Sequence, residues 1–183
     1  MTKALVIIDM LKGYMEDTDN PKKIIKNQVK LIKAFKKNKY KVIISIANPK
    51  KTAKNPVMYR LWGEEFKDDP EGKKLVKELT QFKFDKIIKK SEYSIFYKTD
   101  FEKYCKKQKI DEIYFAGVFA GCCLFFSAVD AAYRRIQPYL ITDAAGGAKK
   151  TLVGKGWDKG TQIRFKKMIG PLINSKNLIE KLN

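Results

Sequence analysis

Runs of consecutive apolar residues alternate along this chain with longer stretches in which apolar positions recur every three or four residues. Residues 4–8, 41–47 and 112–118 are largely continuous runs of apolar, often β-branched residues. Such runs are typical of strands that are buried on both faces of a sheet. Residues 21–37 instead carry apolar side chains at helical spacing among lysines, which predicts an amphipathic helix.

The same two patterns continue to the end of the chain. They predict further strands at 86–89, 138–142 and 172–173, and further helices at 99–109, 121–135, 158–168 and from Ser175 onward. The start of the helix near residue 100 is predicted from the capping-box sequence Thr99-Asp100-Phe101-Glu102. Residues 48–84 are rich in Pro, Gly and Trp and predict a long irregular segment, which in a compact domain is usually functional.

Alternating strands and helices predict an α/β fold with three layers, in which a six-stranded parallel sheet is covered by helices on both faces. At 183 residues the chain is long enough for one ordinary domain with a sizeable core, so we expect a single domain spanning 1–183. No apolar run reaches the length of a membrane span and no signal-like segment opens the chain, so we expect a cytoplasmic protein without a membrane partner.

The charge balance raises a nucleic-acid hypothesis, because the net charge is +19. However, only four of the 39 basic residues are arginine, the usual reader of phosphates and bases. The lysines are spread over almost every segment and are mixed with 20 acidic residues. We therefore expect a generally charged surface and no specific nucleic-acid site.

Cysteine and histidine usage limits the available chemistry. The three cysteines, Cys105, Cys122 and Cys123, show no paired spacing, which suits a reducing compartment. The chain contains no histidine, so Ser-His-Asp triads, His–Cys dyads and histidine-bound metals are all excluded. The absence of a CxxC sequence argues against a structural zinc site.

Three kinds of reactive side chain lie at the ends of predicted strands. In parallel α/β folds ligands bind beyond the carboxyl ends of the strands. Asp9 follows the first strand, Lys89 and Lys90 lie at the end of the third, and Cys122 and Cys123 lie just past the fourth. Taken singly, each also fits an ordinary role: a strand-end acid, a solvated lysine and a small buried thiol. Their convergence on one sheet edge favours a chemical function.

Three sequence segments carry a family resemblance. These are "ALVIIDMLKGY", "KKSEYSIFYKTDFEKYCKKQKIDEIYFAGV" and "AGVFAGCCLFFSAVDAAYRRIQPYLITDAAGG". In this order they resemble the cysteine hydrolases of the isochorismatase-like superfamily, which includes nicotinamidases and N-carbamoylsarcosine amidases. The family lysine lies three residues before a tyrosine and matches Lys90, since Tyr93 follows it. The family nucleophile lies six residues after a glycine, and counting from Gly117 selects Cys123 over Cys122.

The resemblance implies a catalytic set of Asp9, Lys90 and Cys123. Cys123 would attack a small amide or carbamoyl-type substrate and form a thioester, with Asp9 as general acid and base. Lys90 and the first turn of the predicted helix would both favour the thiolate. The family also implies a cis peptide between Val118 and Phe119, and an oxyanion hole made by the backbone N–H groups of Phe119 and Cys123.

The sequence departs from the family at three positions near these residues. Leu11 stands where Gln is usual, Phe119 where a small residue is usual, and Ala120 where Thr is usual. Tyr14 and Trp62 resemble aromatic pocket positions that would line the substrate site with Phe119, although both also fit core packing. The loop after the second strand reads "ANPKKTAKNP" and lacks the Asp and His residues that bind metal in nicotinamidases, so we expect no metal and no other cofactor.

The sequence leaves two alternative functions open. Isochorismatases of the same superfamily cleave a vinyl ether without a cysteine nucleophile, and a third possibility is a non-catalytic binding or scaffold protein on the same fold. The leading hypothesis is a small-molecule amidohydrolase acting through Cys123. The resemblance and the aromatic segment at 57–66 further predict a homo-oligomer, with a dimer as the expected state.

Overall fold

A single parallel sheet forms the centre of the part of the chain that the computed structural model describes, residues 2–48, 56–62, 69–148 and 159–182. Its six strands lie in the order β3-β2-β1-β4-β5-β6 and every neighbouring pair is parallel. The strands are β1 (Thr2–Ile8), β2 (Lys41–Ala47), β3 (Lys86–Lys90), β4 (Ile110–Val118), β5 (Gln137–Gly146) and β6 (Leu172–Ile173). The predicted six-stranded parallel sheet is therefore confirmed.

Helices cover both faces of the sheet. They are α1 (Lys12–Met15), α2 (Pro21–Lys37), α3 (Val57–Trp62), α4 (Lys77–Thr80), α5 (Phe101–Gln108), α6 (Phe125–Tyr133), α7 (Lys159–Met168) and α8 (Ser175–Leu182). Buried side chains of α5, α6 and α7 join one core cluster, and those of α2 and α8 join a second. The two clusters lie on opposite faces, which gives the predicted three layers.

The central strand β1 shows why the apolar runs are continuous. Ala4, Val6 and Ile8 belong to the first cluster, whereas Leu5 and Ile7 belong to the second, because successive side chains of a strand point to opposite faces. All five are completely buried. A strand covered on both sides has no position at which a polar side chain would be solvated.

The order of the strands creates a crevice at one edge of the sheet. From β1 the chain moves outward to β2 and β3, and from β4 it moves outward in the other direction to β5 and β6. The neighbours β1 and β4 therefore end where the winding direction reverses, the place at which open α/β sheets bind ligands. Asp9 follows β1 directly, and Val118 ends β4.

Gly117 allows β4 to lie against β1 at this crevice. Its φ angle is +110°, and a Cβ atom added there would lie only 2.1 Å from the carbonyl oxygen of Ile8. Only glycine combines this backbone conformation with so close an approach. The residue thus fixes the spacing of the two strands one residue before Asp9.

Some predicted elements differ from the observed ones. The helix predicted at 121–135 is divided into a π-helical turn, Ala120–Leu124, and α6. The capping box at Thr99 forms only in part: Thr99 Oγ1 accepts the Phe101 N–H at 3.2 Å, whereas Glu102 binds Lys106 and Arg134, at 2.7 and 2.8 Å. Glu102 binds these two charged side chains in place of the single backbone N–H that a capping box offers, because charge-assisted hydrogen bonds are the stronger ones.

The segment predicted as irregular, 48–84, contains the short helices α3 and α4 in its described parts. The residues just before α4 lie alongside those that follow Asp9. The Val76 N–H donates to the Met10 carbonyl oxygen, and the Lys12 N–H donates to the Lys74 carbonyl oxygen. Residues 49–55 and 63–68 lie outside the described residues. Among the helices that are described, none is both long and apolar enough to cross a membrane.

Candidate active site

Asp9 is a buried carboxylate held by its neighbours on β1 and β2. Its φ angle is +49°, so the chain turns sharply as it leaves β1. The Ser45 hydroxyl donates a hydrogen bond to Asp9 Oδ1 at 2.7 Å, and Asp9 N–H donates to the Ser45 carbonyl oxygen at 3.3 Å. These contacts leave Asp9 Oδ2 facing Lys90.

Lys90 places its ammonium group between the carboxylate and a thiol. Lys90 Nζ lies 2.7 Å from Asp9 Oδ2 and donates a hydrogen bond to Cys123 Sγ at 3.4 Å. It also donates to the carbonyl oxygen of Glu92 at 3.1 Å. Burial by itself would lower the pKa of Lys90, but the negative charge of Asp9 and the contacts to Cys123 outweigh burial and raise it. Lys90 is therefore a permanent cation.

Cys123 lies in the π-helical turn that precedes α6. The carbonyl oxygen of Phe119 accepts the N–H groups of both Cys122 and Leu124, at 3.0 and 3.3 Å. This turn is wider than an α-helical turn, so successive side chains diverge less. Cys122 and Cys123 are both buried in the same core cluster, and each affects the pKa of the other.

Opposing influences act on the pKa of the Cys123 thiol, and that of Lys90 favours the thiolate, as the sequence predicts. The neighbouring Cys122 thiol, burial and the negative charge of Asp9 together raise the pKa of the Cys123 thiol well above its ordinary value, although Lys90 acts in the opposite direction. One ammonium group thus lies beside both a carboxylate and a thiol. The resting site therefore holds an Asp9–Lys90 ion pair and a neutral Cys123 thiol.

The peptide bond between Val118 and Phe119 is cis. It follows β4 directly and leads into the π-helical turn, so that Phe119 and Cys123 lie on the same short connection. The Phe119 ring is half-buried and packs against Tyr14, with the ring centroids 5.4 Å apart. The predicted pocket residues Tyr14 and Phe119 are thus in contact, whereas the side chain of Trp62 lies outside the described residues.

Several residues that sequence reasoning missed support the site. Ser45 could have been recognised from the sequence, because it is the one hydroxyl residue in the largely apolar, buried strand β2. A buried polar group needs a hydrogen-bond partner. Ser127 on α6 donates to the Cys123 carbonyl oxygen at 2.6 Å and accepts Ile95 N–H at 3.2 Å. Glu92 accepts the N–H groups of Val57 and Met58, which connects α3 to the segment after β3.

A pair of aromatic rings borders the site. Tyr93, three residues after Lys90, stacks on Phe126, three residues after Cys123, with 5.4 Å between the ring centroids. Phe126 is 49% exposed, so the pair has one face toward solvent. In the described part of the chain, no group of three or more potential ligands is arranged to hold a metal ion.

Comparison with known proteins agrees with this architecture. The family model "Isochorismatase domain" matches residues 3–166. Enterobactin synthase component B of Escherichia coli (strain K12) is 31% identical over 84 residues, which are 46% of this chain and 30% of that protein. The match therefore spans less than a third of the length of this relative.

Solved structures resemble the whole chain at lower identity. A cysteine hydrolase from Pseudomonas syringae pv. phaseolicola 1448A has a TM-score of 0.84 at 18% identity, covering 98% of this chain and 92% of that one. N-carbamoylsarcosine amidase from Thermoplasma acidophilum has a TM-score of 0.76 at 23% identity, covering 96% and 97%. At these identities the likeness shows the fold alone.

The six-stranded parallel sheet with helices on both faces makes this chain an α/β protein. The chain belongs to the isochorismatase family.

Proposed function

We propose that this chain is a cysteine-dependent amidohydrolase that cleaves a C–N bond of a small amide or carbamoyl-type substrate. The observation that carries the proposal is the contact of Lys90 with both Asp9 and Cys123 in a buried site. Burying an ion pair is costly, and an apolar residue of similar size would serve packing as well or better. A charged cluster beside a thiol at the ligand-binding edge is thus better explained by chemistry than by stability.

The first half-reaction starts from the neutral thiol. As Cys123 Sγ attacks the carbonyl carbon, its proton passes to Asp9, directly or through the substrate, and a C–S bond forms. Negative charge thereby moves from the carboxylate to the reacting atoms, while Lys90 remains in contact with both. The buried charge is balanced throughout, so a raised resting pKa of Cys123 does not prevent the reaction.

The tetrahedral intermediate then collapses with loss of the amine. The N–H groups of Phe119 and Cys123 would hold its oxyanion. Asp9 gives its proton to the leaving nitrogen, the C–N bond breaks, and a thioester remains on Cys123. Water, deprotonated by Asp9, attacks the thioester, the C–S bond breaks, and the proton returns to the thiol with release of the acid.

The surroundings favour a small substrate with an apolar part. Tyr14 and Phe119 pack together beside the cis peptide, and Leu11 and Ala120 replace polar side chains of the family. The bulky Phe119 would narrow the pocket further.

The cellular setting is part of the proposal. The three free thiols are all buried, which suits a reducing cytoplasm, and we propose that the enzyme acts there as a homo-oligomer.

A screen for ammonia release tests the proposal. Small amides, ureides and nicotinamide are incubated with the wild type and with Cys123→Ser, Asp9→Asn and Cys105→Ala variants. We expect Cys123→Ser to abolish turnover and Asp9→Asn to reduce it by about 10²–10⁴-fold, the usual value of a general base. Cys105→Ala should remain active, because Cys105 is buried on α5 away from the site.

Two results would contradict the proposal and favour one of the alternative functions. Hydrolysis of isochorismate that survives Cys123→Ser, without ammonia release from any amide, would identify vinyl-ether chemistry, which the family match also allows. No turnover of any substrate by the folded wild type would indicate a binding or scaffold protein.

A further inference from the structure

The solvent-facing side of α2 carries only lysine as a charged residue. Seven of its seventeen residues are lysine and none is acidic. All seven are exposed, because the opposite side of the helix is buried against the sheet through Ile24, Leu31, Ile32 and Phe35. We call this side the basic ridge; it consists of Lys22, Lys23, Lys26, Lys30, Lys33, Lys36 and Lys37.

The ridge is unfavourable for the helix on its own. Lysines three or four positions apart are neighbours on a helix surface, and like charges at these spacings destabilise it. Lys22, Lys26 and Lys30 form one such series and Lys33 with Lys37 continues it. Lys22 and Lys23 also lie in the first turn, where the helix dipole disfavours cations. The sequence of α2 therefore retains charges that weaken its own element.

Other helices of the same chain are built differently. Lys106 on α5 binds Glu102 at 2.7 Å, and Lys176 on α8 lies 4.0 Å from Glu180, both at the favourable spacing of four residues. Among the described residues, no ridge lysine forms an ion pair; Lys36 donates to the Lys83 carbonyl oxygen instead. Exposed lysines outside any ion pair in the described part of the chain also occur on α5 and α7, but α2 carries the longest series, with seven lysines over seventeen residues.

We propose that the basic ridge binds the phosphate backbone of nucleic acid without regard to sequence. Seventeen helical residues extend about 25 Å, so the ridge can follow several successive phosphates. The helix contains no arginine, the residue that usually reads bases, so its contacts position a backbone and specify no sequence. An anionic membrane is the weaker candidate, because the apolar side of α2 is buried in the core and cannot insert.

The ridge is also separate from the catalytic chemistry. α2 packs on one face of the sheet, and the turn that carries Cys123 belongs to the core cluster of the other face. Binding at the ridge should therefore survive the loss of Cys123, which makes this inference independent of the proposed hydrolysis.

Fluorescence anisotropy of a labelled DNA duplex and a labelled single-stranded RNA, titrated with protein at several salt concentrations, tests the proposal. The ridge variant combines Lys26→Gln, Lys30→Gln and Lys33→Gln. The matched control combines Lys103→Gln, Lys106→Gln and Lys107→Gln on α5, which are also exposed and remove the same net charge. Thermal melting checks folding, and we expect the ridge variant to melt at or above the wild-type temperature because like charges are removed.

For the wild type, the logarithm of the duplex binding constant should fall linearly with the logarithm of salt concentration. The slope of the ridge variant should be shallower by roughly 0.9 for each phosphate contact that is lost, with the control near wild type. Equal losses in the two variants would mean that net charge alone attracts the nucleic acid and would overturn the proposal. So would absence of binding at low salt, or ridge-dependent binding to phosphatidylserine vesicles without binding to nucleic acid.

Discussion

At the scale of single residues, the site contains one fixed cation and two groups that can exchange a negative charge. Lys90 touches both Asp9 and Cys123, so it stabilises whichever of them is anionic. Cys122 lies beside the same thiol and favours the protonated form of Cys123. The two neighbours of the thiol should therefore shift its pKa in opposite directions.

The pH dependence of alkylation measures these opposite effects. In the wild type, the rate of Cys123 modification by iodoacetamide should rise with pH through an apparent pKa above that of a free cysteine. Lys90→Ala should raise this apparent pKa further, because the cation that favours the thiolate is lost. Cys122→Ala should lower it, because the neighbouring thiol that favours the neutral form of Cys123 is lost.

Lys89→Ala is the matched control, since Lys89 is an exposed lysine on the same strand. Peptide mass spectrometry distinguishes Cys123 from Cys105, whose pKa is raised to about 12 by burial. Shifts of the same sign for Lys90→Ala and Cys122→Ala would contradict this account of the thiol.

At the scale of elements, the position of Asp9 depends on how closely β4 packs against β1. Gly117→Ala would place a Cβ atom 2.1 Å from the Ile8 carbonyl oxygen, at a φ angle that alanine rarely adopts. Backbone strain and overpacking should together cost about 3 kcal/mol or more in the free energy of unfolding. Urea denaturation measures this loss, and the residual folded enzyme should also lose activity because Asp9 moves.

Gly72→Ala is a suitable comparison for this prediction. Its added Cβ would meet only the exposed side chain of Asp69, which can rotate away with loss of its hydrogen bond to Gly72 N–H. That change should cost about 1 kcal/mol at most. If the two substitutions cost the same, the close approach of β4 to β1 does not constrain the fold.

The elements also show where sequence patterns suffice. The bounds of α2 and β2 were predicted correctly because helical spacing and an apolar run each determine their own ends. The division of the 121–135 helix could not be predicted, since it arises when one carbonyl oxygen, that of Phe119, accepts two N–H groups after the cis peptide. No local sequence preference encodes this arrangement.

At the scale of the whole molecule, two general rules about α/β proteins predicted the fold. The same rules, together with the family motif, predicted that Asp9, Lys90 and Cys123 meet. Alternating elements predict the parallel sheet, and its carboxyl edge gathers the residues that end its strands. Side-chain supports were harder to foresee. Ser127 and Glu92 act across elements that are distant in sequence, so only the packed structure reveals them.

The net charge of +19 also bears on self-association. Two copies with this charge repel one another, and salt screens the repulsion within about 10 Å at 0.1 M ionic strength. Exposed apolar residues such as Leu61 on α3 and Tyr133 on α6 offer surface that a second copy could cover. We therefore expect a homodimer whose population increases with salt, whereas binding to nucleic acid decreases with salt.

Multi-angle light scattering at low and high ionic strength, over a range of protein concentrations, tests this expectation. The mass should approach twice that of the 21.1 kDa chain as salt is raised. The ridge variant and its α5 control remove the same net charge, so each should dimerise at lower salt than the wild type, while only the ridge variant loses the salt slope of nucleic-acid binding. A strict monomer at high salt and high concentration would contradict the dimer, and a dimer that dissociates with salt would mean that the interface is held by charge pairs.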